Sequence, residues 1–239
     1  MQLFMVQLEL VPRHLYEWAR QVGITAVDRG YLVHSAMRIV FGDAAPQPFA
    51  LFGNANNPFL KVLGYGSVGI DVLRGALALA EPILAGAFPT NRMLDKAMPA
   101  GFASGTKLAF QVECCPVARN GKGGKDGKDR ERDVFLTACD AAPDGGVDRA
   151  SIYSAWTGAE LARDGAAELV DCSMREFTLF TPVRRNGHGK VARSIGRRPR
   201  ARMDGLLRIG NPEAFSALLA RGIGRHRAFG LGMLLLRPA

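Results

Sequence analysis

Hydrophobic positions recur in two different rhythms along the chain, and the rhythm sets the element. Short apolar runs at 3–10 ("LFMVQLEL"), 49–52, 59–66 and 107–117 predict strands. Between them, 13–22 and 28–42 carry helical spacing, and 71–81 does so until Pro82 stops it. The order is strand, helix, two strands, helix, strand. That is the βαββαβ pattern of a ferredoxin-like unit.

The pattern then restarts. Residues 133–139 predict a strand, 150–165 a helix ended by glycine, and 175–183 and 204–211 two strands. In 211–222, "NPEAFSALLARG", Asn stands at the cap, Pro at the first helical position, Glu in the first turn and Gly past the end. A final strand is expected at 231–238. The expected fold is therefore α+β, with tandem ferredoxin-like domains at 1–118 and 133–239. The glycine-rich, charged stretch 119–132 joins them, either as a surface loop or as a flexible cationic finger.

Charge sharpens this picture. The net charge is +9, and it is uneven. Residues 1–100 hold 8 Lys/Arg against 7 Asp/Glu, whereas 101–239 hold 23 against 15. A basic chain of this size implies an anionic partner, usually nucleic acid or membrane, and a localised excess points to an anion site. No run of 18 apolar residues exists; the longest candidate, 70–88, is broken by Asp71, Arg74, Glu81 and Pro82. The N-terminus lacks the cationic start of a signal peptide. A cytoplasmic protein with no membrane partner is expected. Cys114, Cys115, Cys139 and Cys172 have no C-x-x-C spacing and read as reduced thiols, so no metal and no cofactor are expected.

Three segments carry candidate chemistry. "GIGRHRAFGLG" (222–232) fails the dinucleotide fingerprint, because Arg227 stands where the third glycine belongs and the loop follows a helix. It also lacks the G-K-[ST] of a phosphate-binding loop. Its backbone at Gly224 and Gly230 can approach a phosphate chain, with Arg225, His226 and Arg227 to pair with it. The same composition suits a connection packed against its own domain. The second segment, 184–202, has eight Lys/Arg and no acid. Lys190, Arg193, Arg197, Arg198, Arg200 and Arg202 are its candidate phosphate contacts, on a long hairpin or loop; a solvated surface would have the same composition. Pro199 and Gly196 disfavour a continuous helix, and with it the basic helices that enter a DNA groove; recognition of an RNA helix through its backbone suits the composition better.

The third segment is the helix at 31–41. Leu32, Val33, Ala36, Met37, Ile39 and Val40 form its expected apolar face. Tyr31, His34, Ser35 and Arg38 fall on the other. An imidazole, a phenol and a guanidinium on one stripe suit RNA transesterification, in which a base takes the 2′-OH proton and a cation steadies the pentacoordinate phosphate. An exposed helix face that contains a histidine would look the same.

With these residues in view, the chain resembles the CRISPR-associated repeat-processing endoribonucleases of the RAMP superfamily, especially the CasE type of subtype I-E and the related type IV enzyme. The resemblance rests on "DGLLRIGNPEAFSALLARGIGRHRAFGLGMLLLRP" (204–238), on "YLVHSAMRIVFGDAAPQPFALF" (31–52) and on "ASIYSAWTGAEL" (150–161); 67–130 matches poorly. It implies binding of a CRISPR repeat stem-loop and metal-independent cutting that leaves a 2′,3′-cyclic phosphate and a 5′-hydroxyl. It further implies retention of the guide RNA with other effector subunits. His34 and Tyr31 fall where such enzymes carry catalytic groups. Some relatives rely on arginines, which adds Arg38, Arg29 and Arg20. The same fold also serves non-cleaving guide-RNA binders.

Overall fold

The computed structural model describes every residue except 1, 25–27, 54–57, 120–130, 144, 185–192 and 195. The first half runs β1 (Phe4–Leu10), α1 (Pro12–Gln21), α2 (Arg29–Phe41), β2 (Phe49–Phe52), β3 (Leu60–Gly66), α3 (Ile70–Leu77), α4 (Pro82–Ala87) and β4 (Met93–Ala97). Its antiparallel sheet has the order β2-β3-β1-β4. Val6, Leu8 and Leu10 alternate inward along β1 and meet Leu15 and Trp18 of α1 and Leu32, Val33, Ala36 and Met37 of α2 in one core. Helix α2 starts where it does because the Asp28 carboxylate accepts from the N–H groups of Gly30 (2.7 Å) and Tyr31 (3.4 Å).

The second half runs β5 (Lys107–Cys114), β6 (Val117–Arg119), β7 (Glu131–Asp133), α5 (Val134–Ala141), α6 (Arg149–Ala162), β8 (Ala167–Phe180), β9 (Val183–Arg184), β10 (Arg193–Ser194), β11 (Arg198–Ile209), α7 (Pro212–Arg221) and β12 (Leu235–Pro238). Its main sheet has the order β12-β5-β11-β8. Numbered within each half, both sheets read 4-1-3-2, the ferredoxin-like order. The α+β tandem architecture expected from the hydrophobic rhythm is the one observed.

Several elements differ from expectation, each for a local reason. The run 133–139 is a helix, α5, because the Asp133 carboxylate caps Phe135 N–H at 2.9 Å; a short apolar run has no period of its own to separate strand from helix. Strand 107–114 opens the second sheet and does not close the first. The fourth strand of the first sheet is β4, whose sequence "MLDKA" is exposed beyond Met93 and so shows no apolar run. Pro82 starts α4 at its first position after α3 has already ended at Leu77. Strand β11 begins at Arg198, six residues before the expected strand, and so takes in three of the eight cations of the basic segment. In the expected final strand only Leu235–Pro238 pairs. Ile39, placed on the apolar face of α2, is 61% exposed. Of the 119–132 stretch, Arg119 and Glu131–Arg132 lie in the β6–β7 ladder, and 120–130 lies outside the described residues.

The halves are joined through apolar contact. Tyr65 of β3 is buried in the second core and donates its hydroxyl to the Leu234 carbonyl at 2.8 Å. A small third cluster of Cys115, Val117, Phe229 and Leu231 takes Tyr31 of the first half against its edge. No described helix is long and apolar enough to cross a membrane.

Candidate nucleic-acid interface

Helix α2 presents the expected polar stripe. Tyr31, His34 and Ser35 are half-buried and Arg38 is exposed. The Ser35 hydroxyl is spent on the Tyr31 carbonyl at 2.8 Å, which leaves His34 and its neighbours as the reactive candidates. The His34 ring lies parallel to Phe49 of β2, at 1° with centroids 6.4 Å apart. Burial, and then the charge of Arg38, lower the His34 pKa below its ordinary 6.5. A neutral imidazole, the form a general base needs, is thus favoured. Arg38 itself pairs with the fully exposed Asp43 at 2.9 Å, a contact that solvent weakens and phosphate can replace.

The second half supplies the seat of this helix. Tyr31 stacks on Phe229 with centroids 5.6 Å apart and an interplanar angle of 28°. Gly30 lies directly against the Phe229 backbone, where any Cβ would overlap the carbonyl oxygen. Phe229 also meets His226 edge-on at 5.8 Å. Aromatic contacts therefore connect His34, through Tyr31 and Phe229, to the 222–232 loop.

That loop is anchored at both ends. Ile223, Leu231, Met233 and Leu234 are buried, so the packed-connection reading describes its apolar residues. Gly224 adopts φ +68 and sits where a Cβ would come within 2.8 Å of the Trp156 ring; its N–H donates to Glu160 Oε2 at 2.9 Å. His226 holds φ +62, and its Nε2 meets Glu131 Oε2 at 2.7 Å. Arg225 pairs with the same carboxylate, and Arg198 Nε approaches it at 3.5 Å. The His226 hydrogen bond, aided by the charges around it, holds the Glu131 carboxyl down at about 2. Arg227 donates to the Arg221 carbonyl. Gly230 faces Phe49 and Leu51 of β2.

The basic segment looks different in space and in sequence. Arg200 makes a two-pronged pair with Glu113 of β5, at 2.6 and 2.9 Å. Burial disfavours its charge, but the Glu113 contacts outweigh this and raise the guanidinium pKa. Arg202 pairs with Glu176 of β8 at 3.2 Å. Three acids remote in sequence, Glu113, Glu131 and Glu176, thus answer three arginines of an acid-free segment. Arg197 stays exposed. Arg193 pairs through its backbone with Arg184 in a short antiparallel β9–β10 ladder; Lys190 lies outside the described residues. Arg20, on α1, and Arg29, at the start of α2, are exposed. Arg29 stands five residues before His34, about 140° round the helix, so the two do not share a face.

Sequence reasoning missed Phe49, Phe229, Trp156 and Glu131 as parts of this site. Apolar residues in strands and loops carry no chemical signature, and Glu131 gains its role only because β7 lies beside the loop. Among the described residues no three His, Cys, Asp or Glu side chains come together as a metal site. The four cysteines are free thiols; Cys114 and Cys115 are buried, and burial pushes Cys115 up to about 12.

No curated protein matches the chain in sequence. Solved structures do match over its whole length. The CRISPR endoribonuclease Cse3 bound to a 19-nucleotide RNA superimposes with a TM-score of 0.67 at 18% identity, covering 100% of both chains. Thermus thermophilus Cse3, bound to an RNA representing a pre-cleavage complex, gives 0.63 at 18%, again over 100% of both. Cas6e of Escherichia coli K-12 gives 0.52 at 18%, over 99% of this chain and 100% of its own. At these identities the likeness is one of fold. The family model described as CRISPR associated protein matches residues 3–238, and the chain belongs to that family.

Proposed function

We propose that this chain is an endoribonuclease that binds the stem-loop of a CRISPR repeat RNA and cuts the precursor into guide RNA without a metal. The observation that carries the reading is His34: a half-buried imidazole with a lowered pKa, flanked by Tyr31 and Arg38, on a helix seated by the glycine-rich loop. The RNA-bound endoribonucleases that share the fold support it.

In this mechanism neutral His34 takes the proton of the 2′-hydroxyl at the cut. The 2′ oxygen attacks phosphorus, the bond to the 5′ oxygen breaks, and that oxygen takes a proton from water as it leaves. The products are a 2′,3′-cyclic phosphate and a 5′-hydroxyl. Arg38, released from Asp43, steadies the charge on the phosphate. Tyr31, fixed against Phe229, orients the strand. The exposed arginines hold the stem by its phosphates. The product stays with the protein in a cytoplasmic effector complex with other subunits.

One observation favours a second reading, a non-cleaving guide-RNA binder: in the free protein Arg38 is already engaged by a carboxylate. The test is incubation with repeat RNA in EDTA. A single cut, abolished by a 2′-deoxy sugar at the scissile nucleotide, is expected. Cleavage of the deoxy substrate would sink the mechanism, and binding without any cut would select the second reading.

A further inference from the structure

The exposed face of α1 carries its own pattern. Arg13, Tyr16 and Arg20 follow at spacings of three and four, which puts them on one stripe, and all three are exposed, Tyr16 by 50%. The stripe borders a pocket that none of the chemistry above uses. Its lining includes Leu15 and Leu60, both buried, the rings of Tyr16 and Phe59, and Arg29. Phe59 is held in place, since the Arg92 guanidinium lies 3.9 Å from its ring centroid and is itself tied to Glu9 at 2.7 Å. Two of the neighbouring acids are occupied: Glu9 by Arg92, and Asp28 by the first N–H groups of α2. Arg29 makes no ion pair among the described residues.

An apolar floor, two aromatic rings and exposed cations at the edge fit a flat ring attached to an anion. They fit poorly to an aliphatic ligand, which gains nothing from the arginines, or to a free anion, which gains nothing from the rings. Sequence-tolerant binding of single-stranded nucleic acid combines the same two features, stacking platforms and a basic track. Arg29 stands about 7.5 Å along the α2 axis from His34 and on another side of the helix. A strand leaving the His34 face must round the start of α2 to reach it, so an unpaired segment fits the path and a duplex does not.

We propose that this pocket receives one unpaired nucleobase of the RNA strand beside the cut, stacked on Tyr16, with Arg29 and Arg20 on the phosphates that flank it. The inference rests on the reading of the chain as a repeat-RNA nuclease but concerns a different surface.

The test compares a repeat stem-loop with and without short single-stranded flanks, with the fluorescent base 2-aminopurine placed at each flanking position in turn. In the wild-type protein one position should be quenched and the flank should tighten binding. Tyr16→Ala should abolish the quench and weaken the flanked RNA by about five- to hundredfold, leaving the bare stem-loop unchanged. Tyr16→Phe, which keeps the ring, should retain both. A wild-type protein that gains nothing from the flank, or a Tyr16→Ala protein that keeps the gain, overturns the pocket even if cleavage is normal. A wild-type protein that shows the quench and the gain but never cuts overturns the nuclease reading and leaves the pocket standing.

Discussion

Gly30 and Phe229, at opposite ends of the chain, touch backbone to backbone. A single methyl group at residue 30 has nowhere to go, because the atom in its way is a carbonyl oxygen and not the end of a flexible side chain. Gly30→Ala should therefore push α2 off its seat. The expected cost is about 1–3 kcal/mol in denaturant unfolding, with a larger proportional loss of RNA cleavage. Ile39→Ala, on the exposed side of the same helix, should stay within about 0.5 kcal/mol. Equal stability for the two variants would show that the contact gives way freely.

His34→Ala should lower the single-turnover cleavage rate by about 10²–10⁴ while leaving RNA affinity unchanged. The pH dependence has a definite direction. A lowered pKa keeps the imidazole neutral to lower pH, so a base at this position works until the pH falls through that lowered value. The acid limb of kcat/KM should have its midpoint below 6.5. A midpoint above it, or a large loss in Arg38→Ala with none in His34→Ala, would move the chemistry to the arginine.

Glu131→Gln should destabilise the protein at neutral pH, by about 1.5–3 kcal/mol. The folded-state pKa of about 2 lies below the ordinary 4.5, so the ionised form contributes stability above about 4.5 and loses it as the pH falls toward 2. The gap between wild type and variant should shrink over that window. A gap that holds steady to pH 3 would mean that the carboxylate charge is not what binds Arg225, His226 and Arg198.

Arg197 and Arg200 are near neighbours with opposite expected behaviour. Exposed Arg197, mutated to Ala, should flatten the dependence of log affinity on log salt by about 0.7–0.9 if it meets one phosphate, with no change in unfolding. Arg200→Ala strands the Glu113 carboxylate and should cost stability while moving the salt slope little. If Arg200→Ala flattens the slope as much as Arg197→Ala, the Glu113 pair opens when RNA binds.

The tandem architecture was legible because seven strands and four helices show in the hydrophobic pattern, and because "NPEAF" spells a helix start. What was not legible has a common cause. Strand β4 is polar at the sheet edge, and α5 depends on the cap at Asp133, so neither leaves a periodic trace. The stripe of Tyr31, His34 and Arg38 followed from helical geometry, but its partners Phe49 and Phe229 lie 15 and 195 residues beyond His34. The carboxylates around the basic segment were hidden for the same reason. Counting charge along 184–202 finds no acid, whereas the strands on either side of β11 bring Glu113 and Glu176 into reach.

The joining of Gly30 to Phe229 also sets a schedule for synthesis. Domains form as the chain emerges, earliest part first. The helix that bears His34 is made early, yet Phe229 of the loop that seats it follows 195 residues later. Until then Tyr31 and Gly30 lack the surface they pack against. A product terminated before Phe229 lacks that surface for good, so the seat of α2 is completed in one step, when the loop emerges.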